Sequence, residues 1–267
     1  MAKIEDQRII IWCKEENELQ GIILDAVYFA LKLEKEICLF ANYRSEEEKK
    51  RYLQLTRAYA QTIKKDIPDL DVSTLVLKGQ LNKLVPVLGE KYNVILFCCG
   101  GKVNHTILNA FYRAGFPFYF WKASKLKENR FENILIPIDF RNSTKDATLW
   151  GSYLGRFNES EIHLQIANDK NNNDLNQKVE KLVNFVEKFY GQFTFQFLLK
   201  KGKAGSWKIH KEALKEVHDF DLLIFAGSLN VTFIDRLFGP FEKLIVNRSK
   251  TPVIITNPQK EMYVLCN

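Results

Sequence analysis

No apolar run in the 267 residues approaches the roughly 18–20 needed to cross a bilayer, so no membrane span is expected. The opening MAKIEDQR carries two acids and no hydrophobic region, which predicts no export signal. Cysteine is scarce and odd in number, five in all, with no CxxC spacing. Cys13, Cys38, Cys98 and Cys99 stand in or beside strand-like runs and Cys266 lies near the end, so buried reduced thiols in a cytoplasmic protein are expected. Four histidines, His105, His163, His210 and His218, fall on different expected elements without metal spacing, and no metal is expected.

Catalytic signatures are missing too. There is no GxxxxGK[ST] phosphate loop, no SGG-type loop, and no context that would place a serine or cysteine on a strained nucleophile elbow. No acidic pair accompanies Asp139, as a phosphoacceptor would need. An enzymatic role is therefore not expected. The net charge of +7 is spread through mixed segments such as KLEKE and EEEKKR, and the run Lys200, Lys201, Lys203 has no interleaved aromatics. That pattern reads as a solvated surface rather than a nucleic-acid face.

What is present is an alternation of strands and helices. Arg8–Cys13, Ile37–Phe40, Val72–Lys78, Val94–Cys99 and Pro117–Trp121 read as strands, the first a continuous apolar run of the kind buried on both faces. Helical periods separate them: Leu19 to Ala30, Ser45–Lys64 with Leu53, Leu55, Ala58, Tyr59 and Ile63 inward, Leu81 to Leu88, and Asn104–Ala114. After the polar linker SKLKENR the order begins again, with strands at Ile134–Ile138, Ile162–Ile166, Phe193–Leu199, Leu222–Phe225 and Val253–Thr256. Ile9 to Ile134 and Ile37 to Ile162 are each 125 residues apart, Gly79 to Gly202 123, and Val94 to Leu222 128. The spacing predicts an α/β fold of two tandem doubly wound, Rossmann-like parallel five-stranded sheets, in domains 1–124 and 131–258 with a tail at 259–267. Phe118 to Val253 is 135, so the first copy is about seven residues shorter between its fourth and fifth strands. The stripes Phe116, Phe118, Phe120 and Phe193, Phe195, Phe197 alternate at strand period and predict core or subunit packing.

The stretch Phe220–Pro258 is the most informative. A strand runs into Gly227 and then a helical pattern, the arrangement by which α/β proteins seat phosphates on unpaired helix N–H groups. ILIPIDFRNSTKDATLWGSYLGRF from Ile134 resembles the opening of a universal stress protein domain, and DLLIFAGSLNVTFIDRLFGPFEKLIVNRSKTPVIITNP resembles its closing segment. The resemblance covers Phe131–Pro258 and, through the repeat, Arg8–Trp121 more weakly. It implies ATP or AMP as the ligand, with Asp139 at the end of the first strand, Ile166 at the end of the second, and Ala226 and Gly227 opening the glycine motif. The second glycine of that motif falls on Asn230. The third, Gly239, comes one residue early and precedes Pro240, which has no N–H to donate. In the first copy Cys13 and Lys14 replace the aspartate, and Gly100 and Gly101 lead into no recognisable motif. Asp139 reads either as a ligand contact or as a residue that caps the following helix or bonds within the strand–helix turn; Gly227 reads either as a phosphate seat or as a turn.

Two functions follow. The first is a non-enzymatic stress-response protein with weakened or lost ATP binding, acting through a pseudo-dimer of its two domains or a homodimer through the final strands, Phe118–Trp121 and Val253–Thr256, as the resemblance implies. The second is an adenine-nucleotide sensor that uses the C-terminal domain.

Overall fold

The structure, a computed structural model, describes residues 7–14, 16–100, 102–123, 130–141, 143–169, 171–201, 206–228 and 240–257, without the side chains of 16, 201 and 206. These residues fall in two compact units, one within 1–123 and one within 124–258. Asn230 and Gly239 lie outside the described residues, as do Gly101, Gly202, Lys203, Cys266 and the tail at 259–267.

The first unit runs β1 (Arg8–Trp12), α1 (Glu16–Leu33), β2 (Glu36–Tyr43), α2 (Glu46–Asp66), β3 (Val72–Lys78), α3 (Leu81–Tyr92), β4 (Val94–Cys99), α4 (His105–Phe111) and β5 (Phe118–Phe120). Its strands are parallel, in the order β3-β2-β1-β4-β5. The second unit runs β6 (Asn133–Ile138), α5 (Thr144–Phe157), β7 (Glu161–Asn168), α6 (Asn173–Tyr190), β8 (Phe195–Lys201), α7 (Ser206–Glu216), β9 (Leu222–Ala226), α8 (Phe241–Arg248) and β10 (Val253–Thr256). Its strands are parallel too, in the order β8-β7-β6-β9-β10. The register repeats as well: Ile9 pairs with Ile37, and Ile134 with Ile162. In each unit the strand order reverses beside the first strand, which opens a crevice at the carboxyl ends where α/β sheets bind ligands.

Burial follows position in the sheet. Central strands are closed on both faces, with Ile9, Ile10, Ile11 and all of β4 buried, while the outer strand β3 stays half open. Phe97, Phe116 and Phe118 stack as a core for the first unit, with Phe97 and Phe118 centroids 4.6 Å apart. Strand ends are tied by side chains: Trp12 Nε1 donates to Asn42 Oδ1 (2.9 Å), and Asn42 Nδ2 donates to the Gly79 carbonyl (3.0 Å). Gly79 has φ of 143°, which an L side chain rarely adopts. Helix starts carry their caps, Ser45 on α2, Asn104 on α4 and Asn172 on α6.

The elements differ from expectation in three places. Helix α2 buries Tyr52, Thr56 and Ile63, and Ala58 faces solvent. Thr56 can be buried because its hydroxyl donates to the Tyr52 carbonyl (2.8 Å). Strand β8 starts two residues later than expected, since it pairs with β7 as far as Asn168 and Lys201 while Phe193 packs on Tyr190. Phe189 of α6 is 40% exposed although it continues the apolar period of that helix. Cys13, Cys38, Cys98 and Cys99 are free and buried, and burial raises the pKa of Cys13, Cys38 and Cys98. Such thiols are poor nucleophiles. Among the described residues no helix is long and apolar enough to cross a membrane.

Candidate functional site

The crevice of the second unit begins where β6 ends. Phe140 takes φ of 62°, an uncommon conformation for a bulky residue, and its side chain packs on Ala167, Leu175 and Ile209. The turn brings Arg141 back over the strand ends. Arg141 Nε donates to Asp139 Oδ2 at 2.6 Å, and its backbone N–H donates to Asp139 Oδ1 at 3.0 Å. Thr144 Oγ1 donates to the same Oδ1 at 2.6 Å. The far edge of the guanidinium reaches across to β9, with Nη2 on the Ala226 carbonyl (2.8 Å) and Nη1 on the Gly227 carbonyl (3.3 Å). The Phe241 ring lies 5.3 Å from the guanidinium carbon. The Asp139 side chain is 1% exposed, so a carboxylate at the crevice floor is neutralised and hydrogen-bonded by residues of its own turn.

The two described N–H groups after β9 are engaged as well. The Gly227 N–H continues the sheet ladder to the Thr256 carbonyl (2.9 Å). The next N–H, that of Ser228, donates to Glu242 Oε1 at 2.6 Å, and Glu242 is fully buried. An internal carboxylate thus takes a donor of the turn after β9, and any external phosphate brought there would meet like charge. In the first unit a carboxylate also lies close to the turn after the fourth strand, but Glu18 Oε2 accepts no hydrogen bond among the described residues. A methyl group built on Gly100 would lie 2.4 Å from Glu18 Oε2 and 2.8 Å from Ile22 Cδ1, so the Glu18 carboxylate abuts the backbone after β4. Burial lowers the pKa of nearby Lys122, and Glu18 works in the opposite direction.

Of the residues expected at a nucleotide site, Asp139, Ala226 and Gly227 are brought together, joined by one guanidinium. Ile166 is fully buried within β7, paired with Ile138 and Leu199. Asn230 and Gly239 lie outside the described residues. Asp139 does not cap α5, whose N-cap is Ser143; it bonds within the strand–helix turn. In the first unit Cys13 is buried, while Lys14 sits 3.7 Å from Glu48 and 5.1 Å from the Tyr52 ring. Lys200, read from sequence as part of a basic run, is 2.6 Å from Glu216.

The sequence reading missed Phe140, Arg141, Phe241, Glu242 and His210. His210 is buried edge-on between Phe225 and Phe241, with Nε2 4.0 Å from Asp139 Oδ2. The one available signal was an arginine two residues after the aspartate, where a side chain can fold back on an Asx turn. Among the described residues no three His, Cys, Asp or Glu side chains converge as metal ligands.

No family model matches the chain. No curated protein matches it either. Solved structures do. A universal stress protein from Archaeoglobus fulgidus DSM 4304 is similar with a TM-score of 0.71 at 13% identity, over 95% of this chain and 96% of that one. A proposed universal stress protein from Pseudomonas aeruginosa UCBPP-PA14 gives 0.66 at 11%, over 95% and 94%. The cytoplasmic domain of a prokaryotic cation chloride cotransporter gives 0.57 at 10%, over 96% and 98%. At these identities the likeness is one of fold.

Proposed function

We propose that this chain is a tandem universal stress protein, non-enzymatic and cytoplasmic, whose nucleotide crevice is filled by its own side chains and which acts through protein association. The supporting observation is that self-occupancy: Arg141 on Asp139, Ala226 and Gly227, with Glu242 on the Ser228 N–H. A nucleotide would have to displace a guanidinium bonded to Asp139 and to two carbonyls and bring phosphate beside a buried carboxylate, both at a cost to binding. Association would use the two domains as a pseudo-dimer, or a second chain through the final strands.

The test is calorimetric titration and thermal unfolding with millimolar ATP or AMP, with and without Mg²⁺. A ligand present at ~100 Kd adds about 2.7 kcal/mol of stability, several degrees in melting temperature for domains of this size. No shift is expected for the natural sequence. A saturable shift that disappears in Asp139→Ala would overturn the reading and leave the adenine-nucleotide sensor in its place. That second reading draws on Asp139, Ala226 and Gly227 lying within one guanidinium's reach. Light scattering over a concentration series tests association, and a strict monomer would rule out the homodimer.

A further inference from the structure

A second concavity lies in the second unit, on the α5 and α6 side of Arg141. It is a groove of about 390 Å³ with walls from the β6 end (Ile138, Phe140, Arg141), the first turns of α5 (Thr144, Lys145, Thr148) and the middle of α6 (Lys181, Leu182, Phe185). Its size falls within the range of small-molecule sites. The walls divide by chemistry. Ile138, Phe140, Leu182 and Phe185 supply an apolar bed, and the Phe185 ring is 39% exposed although it stacks on Phe189 at 5.4 Å. An exposed aromatic with one free face is a stacking platform.

The charge in the groove is of one sign. Lys145 and Lys181 are both exposed, and no ion pair joins either of them to an acid among the described residues. Arg141 spends its guanidinium on Asp139, Ala226 and Gly227. No carboxylate is among the groove's walls. Each lysine belongs to a helical pair: Lys145 stands just before Thr148, one turn on, and Lys181 stands four residues before Phe185, on the same side of α6. Such stems lie along apolar surface and keep their ammonium groups at its rim.

We propose that this groove binds a small aromatic organic anion, its ring against Phe185 and Leu182 and its carboxylate, sulfonate or phosphate between Lys145 and Lys181. The groove shares Phe140, Arg141 and Thr144 with the crevice at Asp139, whereas Lys145, Lys181, Leu182 and Phe185 belong to the groove alone, so the proposal stands whether or not that crevice takes a nucleotide. Charge complementarity selects the anion, and the exposed ring selects a flat body over an aliphatic one.

The full chain is titrated with 8-anilinonaphthalene-1-sulfonate and, in parallel, with its uncharged counterpart N-phenyl-1-naphthylamine. Saturable 1:1 binding of the sulfonate is expected. Lys145→Gln combined with Lys181→Gln should weaken it by about tenfold or more, and the neutral probe by less than about twofold. Phe185→Ala should weaken both probes. All three side chains are exposed, so these variants retain the fold, and far-ultraviolet circular dichroism checks it. Wild-type sulfonate affinity in the double lysine variant, equal losses for both probes in that variant, or sulfonate binding that does not saturate would each overturn the proposal. A parallel ATP titration of the same variants keeps the outcome separate from that of the nucleotide reading.

Discussion

Arg141 Nε and Asp139 Oδ2 lie 2.6 Å apart across a turn of only two residues, and the same guanidinium grips the last carbonyl of β9, that of Ala226, and the Gly227 carbonyl after it, some 85 residues away. One arginine therefore does two things. It neutralises the carboxylate on which a nucleotide site of this type would depend, and it locks the ends of β6 and β9 together.

The lock can be measured. Arg141→Ala leaves the buried Asp139 carboxylate without its guanidinium and should destabilise the protein by about 2–3 kcal/mol, below the ~3–5 of a fully buried broken pair because Arg141 keeps some exposure. Arg141→Met with Asp139→Asn removes both charges and should recover part of the loss. Urea unfolding followed by intrinsic fluorescence reads both. Equal stability of wild type and Arg141→Ala would mean the ion pair contributes nothing.

How much of this was legible in the sequence depended on the distance over which each feature is determined. Core strands such as Ile9–Ile11 and Val94–Cys99 follow from local apolar runs. Gly227 is legible because it closes a strand ahead of a helical pattern, and Asp139 through the resemblance to the opening of a universal stress protein domain. Arg141 is not, because its role needs φ of 62° at Phe140 and a carbonyl contributed by β9. Glu242 is fully buried at the start of α8 and accepts from the Ser228 N–H, a partner 14 residues earlier that no local pattern marks. Ala58 and Thr56 exchanged their expected places for a simpler reason: a threonine whose hydroxyl bonds its own helix carries no unsatisfied group inward.

A buried hydroxyl holds α1 to β5. Tyr119 Oη donates to Asp25 Oδ2 at 2.5 Å, with both residues buried, and burial raises the Tyr119 pKa well above its ordinary value, so the phenol stays a donor. Tyr119→Phe keeps the ring in its edge-on contact with Phe29 and deletes only the donor. Leaving a buried acceptor without its donor costs about 1–3 kcal/mol, and a loss of that size is expected in chemical denaturation. A loss below about 0.5 kcal/mol would show that Asp25 finds an equal donor elsewhere.

Close packing at α5 predicts a second loss. A methyl group on Gly155 would lie 2.4 Å from a ring carbon of Phe193. Gly155→Ala should therefore cost about 1–3 kcal/mol despite the better helix propensity of alanine, because the ring has to move. Phe193→Leu added to Gly155→Ala should cost less than the two changes summed. Strict additivity in a double-mutant cycle would mean the ring and the helix do not meet.

Asp146 supplies the pH dependence. It stands in the first turn of α5, where the helix dipole favours a carboxylate, but it is only 7% exposed, and burial pushes its pKa up to about 6, with Lys145 partly opposing. Between its ordinary value near 3.8 and about 6, the folded state holds more protons at this site than the unfolded state. Stability at this site is thus fully present below about pH 4 and is lost as pH rises through about 6. Two pKa units correspond to at most about 3 kcal/mol, so a loss of roughly 1–3 kcal/mol is expected between pH 4 and pH 7. Asp146→Asn removes the titration without changing shape. Its unfolding free energy, measured by urea at each pH, should rise relative to wild type over that window and hold its lead at pH 7. Parallel profiles for the two proteins would show that Asp146 ionises as freely in the folded chain as in the unfolded one.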